Sequence, residues 1–168
     1  ALDKDFYLRI SLELPLKRML VAGFEKVFEI GRIFRNEGID REHLQDYTQI
    51  EFYWAYASFD DMMQLVKEMY QDTIQKTFGS LQVQYQGQTV DWSGNWPKKD
   101  YFELFKQYTS LDLSTVTVDE LKRYATDNHI HFEDNNGKGR LIDLIFKKTI
   151  RILPEVSLQP CFLINQPI

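Results

Sequence analysis

The chain has 168 residues, a formal charge of −5, 43% hydrophobic residues and 27% charged residues. That is enough for one domain with a sizeable core, and it excludes a disordered chain. The acidic balance argues against a domain that grips nucleic acid by itself, no apolar run reaches the ~20 residues of a membrane helix, and the single Cys161 excludes an internal disulfide and fits a reducing cytosol.

Taken in chain order, residues 6–10 read as a short strand. Residues 13–22 read as a helix, with Pro15 tolerated in its first turn, Leu16, Met19 and Leu20 as its buried stripe, and Gly23 as its stop. Residues 26–35 and 47–57 read as two strands of a long antiparallel hairpin joined by a polar loop holding Gly38. Side chains alternate with period two. Phe28, Ile30 and Phe34, with Ile50, Phe52, Trp54 and Tyr56, form one face, expected to be buried. Val27, Glu29, Gly31, Ile33 and Arg35, with Tyr47, Gln49, Glu51 and Tyr53, form the other, expected to be the polar face.

Ser58, with Asp61 in the capping-box position, starts the next helix, whose Met residues at helical spacing are core. Gly79 closes it. Residues 81–92 alternate as a small hairpin turning near Gln86 and Gly87, and residues 91–100 read as loop. Residues 101–108 form a short helix, and Thr117 with Glu120 caps another running to about Asn128. After a turn cluster at 135–139, residues 139–153 form an amphipathic helix ended by Pro154. Residues 159–165 form a strand. No signal peptide opens the chain, because Asp3, Lys4 and Asp5 interrupt it at once. Ala1 enters without a helix-start signal and Ile168 follows directly on an apolar run, so both ends are expected to be cuts through a larger domain.

The polar face of the long hairpin carries the candidate chemistry. Arg35 offers a planar fork suited to phosphate. Tyr47 offers a flat face on which a base can stack. Glu51 can receive an ammonium group, and Glu37 and His43 sit in the connecting loop. No Walker or Rossmann glycine pattern is present. The competing explanation is a row of structural ion pairs, such as Glu29 or Glu51 with Arg35. Such pairs are common, and the residues alone favour it. His129 and His131 have no nearby Cys to complete a metal set and are expected at the surface, and Cys161 is expected to pack as a small core residue. Trp54 is expected in the core, and Trp92 and Trp96 to pack the later, mostly helical stretch onto the sheet.

A longer pattern changes the balance. Phe34-Arg35-Asn36-Glu37 resembles motif 2 of the class II aminoacyl-tRNA synthetases, whose core is Phe-Arg-x-Glu. The run Val27-Phe28-Glu29-Ile30-Gly31-Arg32-Ile33-Phe34-Arg35-Asn36-Glu37-Gly38-Ile39-Asp40 resembles the lysyl-tRNA synthetase family in particular. So do Tyr7-Leu8-Arg9-Ile10, Glu13-Leu14, Leu16-Lys17-Arg18 and Tyr47-Thr48-Gln49-Ile50-Glu51-Phe52-Tyr53. Gly139-Arg140-Leu141-Ile142-Asp143 and Gln159-Pro160-Cys161-Phe162-Leu163-Ile164 continue it collinearly.

The resemblance implies an α+β fold: the antiparallel sheet of the class II catalytic core flanked by helices, with a helical insertion. Residues 1–97 would hold the motif 2 sheet and helix, 98–154 the insertion and 155–168 a return strand. It implies an enzyme, a lysine–tRNA ligase, that turns L-lysine and ATP into lysyl-adenylate and passes lysine to tRNA(Lys), with magnesium bridging phosphates. The parent would be a cytoplasmic homodimer without membrane association.

Arg35 would hold the α-phosphate and be the catalytic residue. Asn36 and Glu37 would place adenine, His43 would reach the terminal phosphates, Leu44 would contribute only backbone, and Tyr47 would stack on the base. Glu13 and Glu51 would bind the amino groups of lysine, with Tyr53 lining that pocket. No metal ligand is assigned within the chain. His43-Leu44-Gln45-Asp46-Tyr47 departs from the family's His-Asn-Pro-Glu-Phe, which puts the His43 contact in doubt. Motifs 1 and 3 are absent, so the chain alone is not expected to be fully active. Two rivals are a paralogue that lysylates elongation factor P and a non-catalytic module that kept the fold.

Overall fold

A computed structural model describes residues 3–38 and 44–167. The chain falls into two compact units, Ala1–Met62 and Met63–Ile168. Its mixed helices and strands make it an α+β protein.

The first unit is a helix on a hairpin. α1 (Glu13–Val21) ends at Gly23, whose φ of +98° is the left-handed geometry that a helix stop requires and that glycine adopts without penalty. β1 (Lys26–Phe34) and β2 (Asp46–Trp54) pair antiparallel, with Glu29 opposite Glu51 and Ile33 opposite Tyr47. Leu12, Leu16 and Ile33 are buried together, with Val27, Tyr47 and Tyr53 packed around them.

That core corrects the expected assignment of faces. The covered face is the one carrying Ile33, Tyr47 and Tyr53. On the opposite face Phe28, Ile30 and Ile50 are 69%, 61% and 44% exposed. Alternation defines two faces, but Leu12 and Leu16, from outside the hairpin, decide which one is covered. Met19, expected in the buried stripe, is exposed, and Leu12 takes its place. Trp54 is only half-buried and lies under the Lys26 ammonium, 3.9 Å from its ring centroid. Residues 6–10 form no strand. One backbone bond, Phe34 N–H to the Arg9 carbonyl at 2.9 Å, ties them to β1.

α2 (Phe59–Phe78) begins as expected: Asp61 N–H donates to Ser58 Oγ, and Ser58 N–H donates back to the Asp61 carboxylate. In the second unit, β3 (Gln82–Tyr85) and β4 (Gln88–Asp91) form the small hairpin. Gln86 and Gly87 both have positive φ, which suits a tight two-residue turn. Tyr70, Trp92, Trp96 and Phe162 pack in sequence, the first pair stacked, the second edge to face and the third tilted, with centroids 5.4 to 5.7 Å apart along the chain of contacts.

β5 (Lys98–Asp100) and β6 (Phe162–Ile164) pair in parallel, a strand pair the first of whose members was expected to be loop. Between them lie α3 (Tyr101–Thr109), capped by Asp100, α4 (Val118–Asp127) and α5 (Lys138–Ile145). Their shared core is built on Phe105, Leu121, Leu141, Ile145 and Ile150, all essentially inaccessible. α5 continues into a π-helical turn, Phe146–Ile150, which the sequence pattern did not announce. Pro154 starts α6 (Pro154–Ser157), at the position where its missing N–H is not needed. His129 and His131 are exposed, and Cys161 is half-buried with Sγ 3.6 Å from the Val156 carbonyl.

Candidate active site

The hairpin register brings two carboxylates face to face, Glu29 and Glu51. Like charges directly opposite on a sheet destabilise it unless each finds a partner. Glu29 is ion-paired to Arg9, and Glu51 accepts a hydrogen bond from the Tyr53 hydroxyl at 2.6 Å. Arg35 pairs with neither. Its Nε donates to the Ile10 carbonyl at 3.2 Å, and Glu37 Oε1 lies 3.9 Å from its Nη1. The expected ion pairs of Arg35 with Glu29 or Glu51 are therefore not formed, and both Arg35 and Glu37 stay about two-fifths exposed.

Glu13, the first residue of α1, comes to the same face. It accepts from Lys17 Nζ at 2.5 Å, one helical turn on, and Lys17 Nζ sits 5.9 Å from the centroid of the Tyr53 ring. The Tyr53 proton is held tightly: its pKa is pushed up to about 12 by the hydrogen bond to Glu51, then by desolvation, then by the charges of Glu51 and Glu13. Glu13, Lys17, Glu51 and Tyr53 thus form one cluster with two carboxylates. An ammonium already rests in it, as the side chain of Lys17.

Arg35 lies at the far end of β1. Its N–H donates to the Gln45 carbonyl at 2.8 Å, and Gln45 Nε2 donates to the Glu37 carbonyl at 3.4 Å, so these bonds close the neck of the connecting loop. Tyr47, across from Ile33, is half-buried against the core beside this neck. Asn36 and Leu44 are exposed. His43 lies outside the described residues. Gln49, across from Gly31, has a buried Oε1 with no hydrogen-bond partner among the described residues.

Arg9, Gly31, Lys17 and Gln45 were not singled out as site residues by sequence. A sequence signal was available for Gly31 alone: a glycine in mid-strand marks a place where another group approaches the backbone closely. In the second unit, a cleft of about 340 Å³ is lined by Tyr101, Gly139, Asp143, Phe146, Lys147 and Arg151, among others, and no sequence-predicted site residue lines it. Asp143 there is ion-paired with Arg140 and Lys147. Among the described residues no group of three or more His, Cys, Asp or Glu side chains could hold a metal ion, and no helix is long and apolar enough to cross a membrane.

The family model of the tRNA synthetases class II (D, K and N) matches residues 1–167. The chain is 40% identical over 169 residues to the lysine–tRNA ligase of Moorella thermoacetica, covering 100% of this chain and 34% of that protein. It is 42% identical over 171 residues to the lysine–tRNA ligase of Trichormus variabilis, covering 100% of this chain and 30% of that one. Against the lysine–tRNA ligase of Staphylococcus aureus strain MW2 the identity is 38% over 168 residues, 99% of this chain and 33% of that protein. The chain spans about a third of the length of these relatives. With a match over nearly its whole length and an α+β structure in which the motif residues share one hairpin, the chain belongs to the class II tRNA synthetases (D, K and N), a family of enzymes.

Proposed function

We propose that the chain is the ATP- and lysine-binding part of a lysine–tRNA ligase. In the full-length protein it activates L-lysine, which then passes to tRNA(Lys). The observation that carries this reading is the clustering of Glu13, Glu51 and Tyr53 on the hairpin face that ends in Arg35. A diamine acid offers two ammonium groups for the two carboxylates and a carboxylate to be brought to the ATP α-phosphorus. The similarity to lysine–tRNA ligases supports it.

In the proposed step, a lysine carboxylate oxygen attacks the α-phosphorus in line. The bond from that phosphorus to the pyrophosphate oxygen breaks, giving lysyl-adenylate and pyrophosphate. The chain works by positioning and charge stabilisation. Arg35 neutralises charge that grows on the α-phosphate. Glu13 and Glu51 receive the ammonium groups, and Tyr53 fixes the Glu51 carboxylate through its hydroxyl. Tyr47 stacks on adenine, Asn36 and Glu37 place the base, Leu44 contributes backbone, and His43 reaches the terminal phosphates. Magnesium would screen the phosphates. Its ligands are proposed to lie outside this chain, and no step is routed through it. The full-length protein is proposed to be a cytoplasmic homodimer. The chain's charge of −5 argues that most of the grip on tRNA lies elsewhere in it.

The test is lysine-dependent ATP–pyrophosphate exchange by the full-length protein. Arg35→Ala is expected to lower exchange roughly 100-fold or more while circular dichroism stays unchanged, as loss of a charge-stabilising donor does. Near-normal exchange by that variant would overturn the proposal.

A further inference from the structure

Arg9 precedes α1 and belongs to no regular element, yet both its side chain and its backbone are tied to β1. Its Nε donates to the Arg32 carbonyl at 2.7 Å, its Nη1 is bonded to Glu29, and its own carbonyl accepts the Phe34 N–H at 2.9 Å. The guanidinium lies against Gly31. A Cβ at that position would stand 2.0 Å from Arg9 Nη2 and 3.1 Å from Cζ. Gly31 has no positive φ, so here the glycine supplies space and not a turn. The residue after Arg9 is Ile10, whose carbonyl accepts from Arg35 Nε.

We propose that Arg9 is a positioning residue for adenylate formation: its guanidinium, seated in the space Gly31 leaves, fastens residues 9 and 10 to β1 and so holds the Ile10 carbonyl that aims Arg35. This role rests on the assignment of Arg35 to the α-phosphate. The Arg9–Glu29 pair is exposed by 44% and 36%, and exposed pairs contribute little to folding. What the arrangement supplies is aim. Arg35 is itself two-fifths exposed, the nearest carboxylate oxygen among the described residues is at 3.9 Å, and Ile10 gives its Nε a fixed acceptor. A guanidinium misplaced by about 1 Å can lower turnover on the order of 100-fold. A lysine at position 9 would keep the charge facing Glu29 but lose the planar fork that also reaches the Arg32 carbonyl.

The experiment is steady-state lysine-dependent pyrophosphate exchange by the full-length protein and its Arg9→Ala, Arg9→Lys, Gly31→Ala and Arg9→Ala/Gly31→Ala variants. Arg9→Ala is expected to lower kcat roughly 10- to 100-fold and to leave the KM for lysine within about twofold, because Glu13, Glu51 and Tyr53 are untouched. Gly31→Ala displaces the guanidinium and is expected to lower kcat by no more than Arg9→Ala does. The double variant is expected to match Arg9→Ala alone, since both changes act through one contact. Should Arg9→Ala fold poorly, Arg9→Lys and Gly31→Ala carry the same test of kcat against KM. Wild-type exchange with undiminished kcat in the Arg9 variants overturns this proposal alone, as do multiplicative losses in the double variant or a rise in lysine KM equal to the fall in kcat. A wild-type protein without lysine-dependent exchange overturns the assignment of the reaction together with this role.

Discussion

At the scale of the residue, the Tyr53–Glu51 bond ties a phenol to one of the carboxylates of the candidate site. The Tyr53 hydroxyl donates to Glu51 at 2.6 Å, and its pKa stands at about 12 against an ordinary 10.0. The folded state therefore holds this proton more tightly than the unfolded state. The stability tied to it is fully present below pH 10 and is lost as pH rises toward about 12. Denaturant midpoints measured across that window should fall more steeply for the wild type than for Tyr53→Phe. Equal slopes would show that the bond does not form in solution. Glu51, Tyr53 and Arg35 could be proposed from sequence because a family pattern and a period of two both point at them, and Glu13 by the family pattern alone. Arg9 could not. Its partners Glu29, Gly31 and Arg32 are at least twenty residues away in the chain, and no local rule links an arginine in an irregular segment to a glycine in a later strand.

At the scale of the element, short-range chemistry was read well. Thr117 N–H donates to Glu120 Oε2 at 2.8 Å, and Glu120 N–H donates back to Thr117 Oγ1 at 3.3 Å. This reciprocal cap starts α4 where the sequence places it. Thr117→Ala should cost about 1 kcal/mol of stability, and Thr117→Ser much less, in chemical denaturation. Ser58 with Asp61, Gly23 and the Gln86–Gly87 turn were equally plain, because donor, acceptor and backbone angle all lie within a few residues. What escaped depends on distant partners. β5 is three residues long and exists only because β6 lies beside it. The π-helical turn at Phe146–Ile150 shares its core with Tyr101, whose ring lies 4.1 Å from that of Phe146. The covered face of the long hairpin was misassigned because Leu12 and Leu16, which cover it, do not belong to the hairpin.

At the scale of the molecule, the two units differ in how they are held. Among the described residues, the first has a small core of three buried side chains, Leu12, Leu16 and Ile33. The second has a far larger one around Phe105, Leu121, Leu141 and Ile145. Leu141→Ala, in that larger core, should lower stability by about 2–5 kcal/mol through lost burial and the cavity left behind. A shift in denaturant midpoint below that range would mean the site collapses around the smaller side chain. The sequence placed α3, α4 and α5, the second by its cap and the third by apolar periodicity. It could not tell that they close on one another, since that depends on the turns between them.

The parallel pairing of β5 with β6 has a consequence for chain length. Phe162 N–H donates to the Pro97 carbonyl at 2.9 Å, and Asn165 is hydrogen-bonded to Asp100, so the chain leaves and re-enters the same spot on either side of the helices. A segment whose ends are clamped together is, thermodynamically, a closed loop. The entropy of closing it grows only with the logarithm of its length, by about 0.6 kcal/mol per doubling. Provided its own core remains satisfied, the stretch between the clamped ends is therefore free to lengthen, shorten or be replaced with little penalty at the stem. Such a place in a chain is where evolutionary change in size, or a grafted reporter, is absorbed without disturbing the register of the hairpin that carries Arg35 and Glu51.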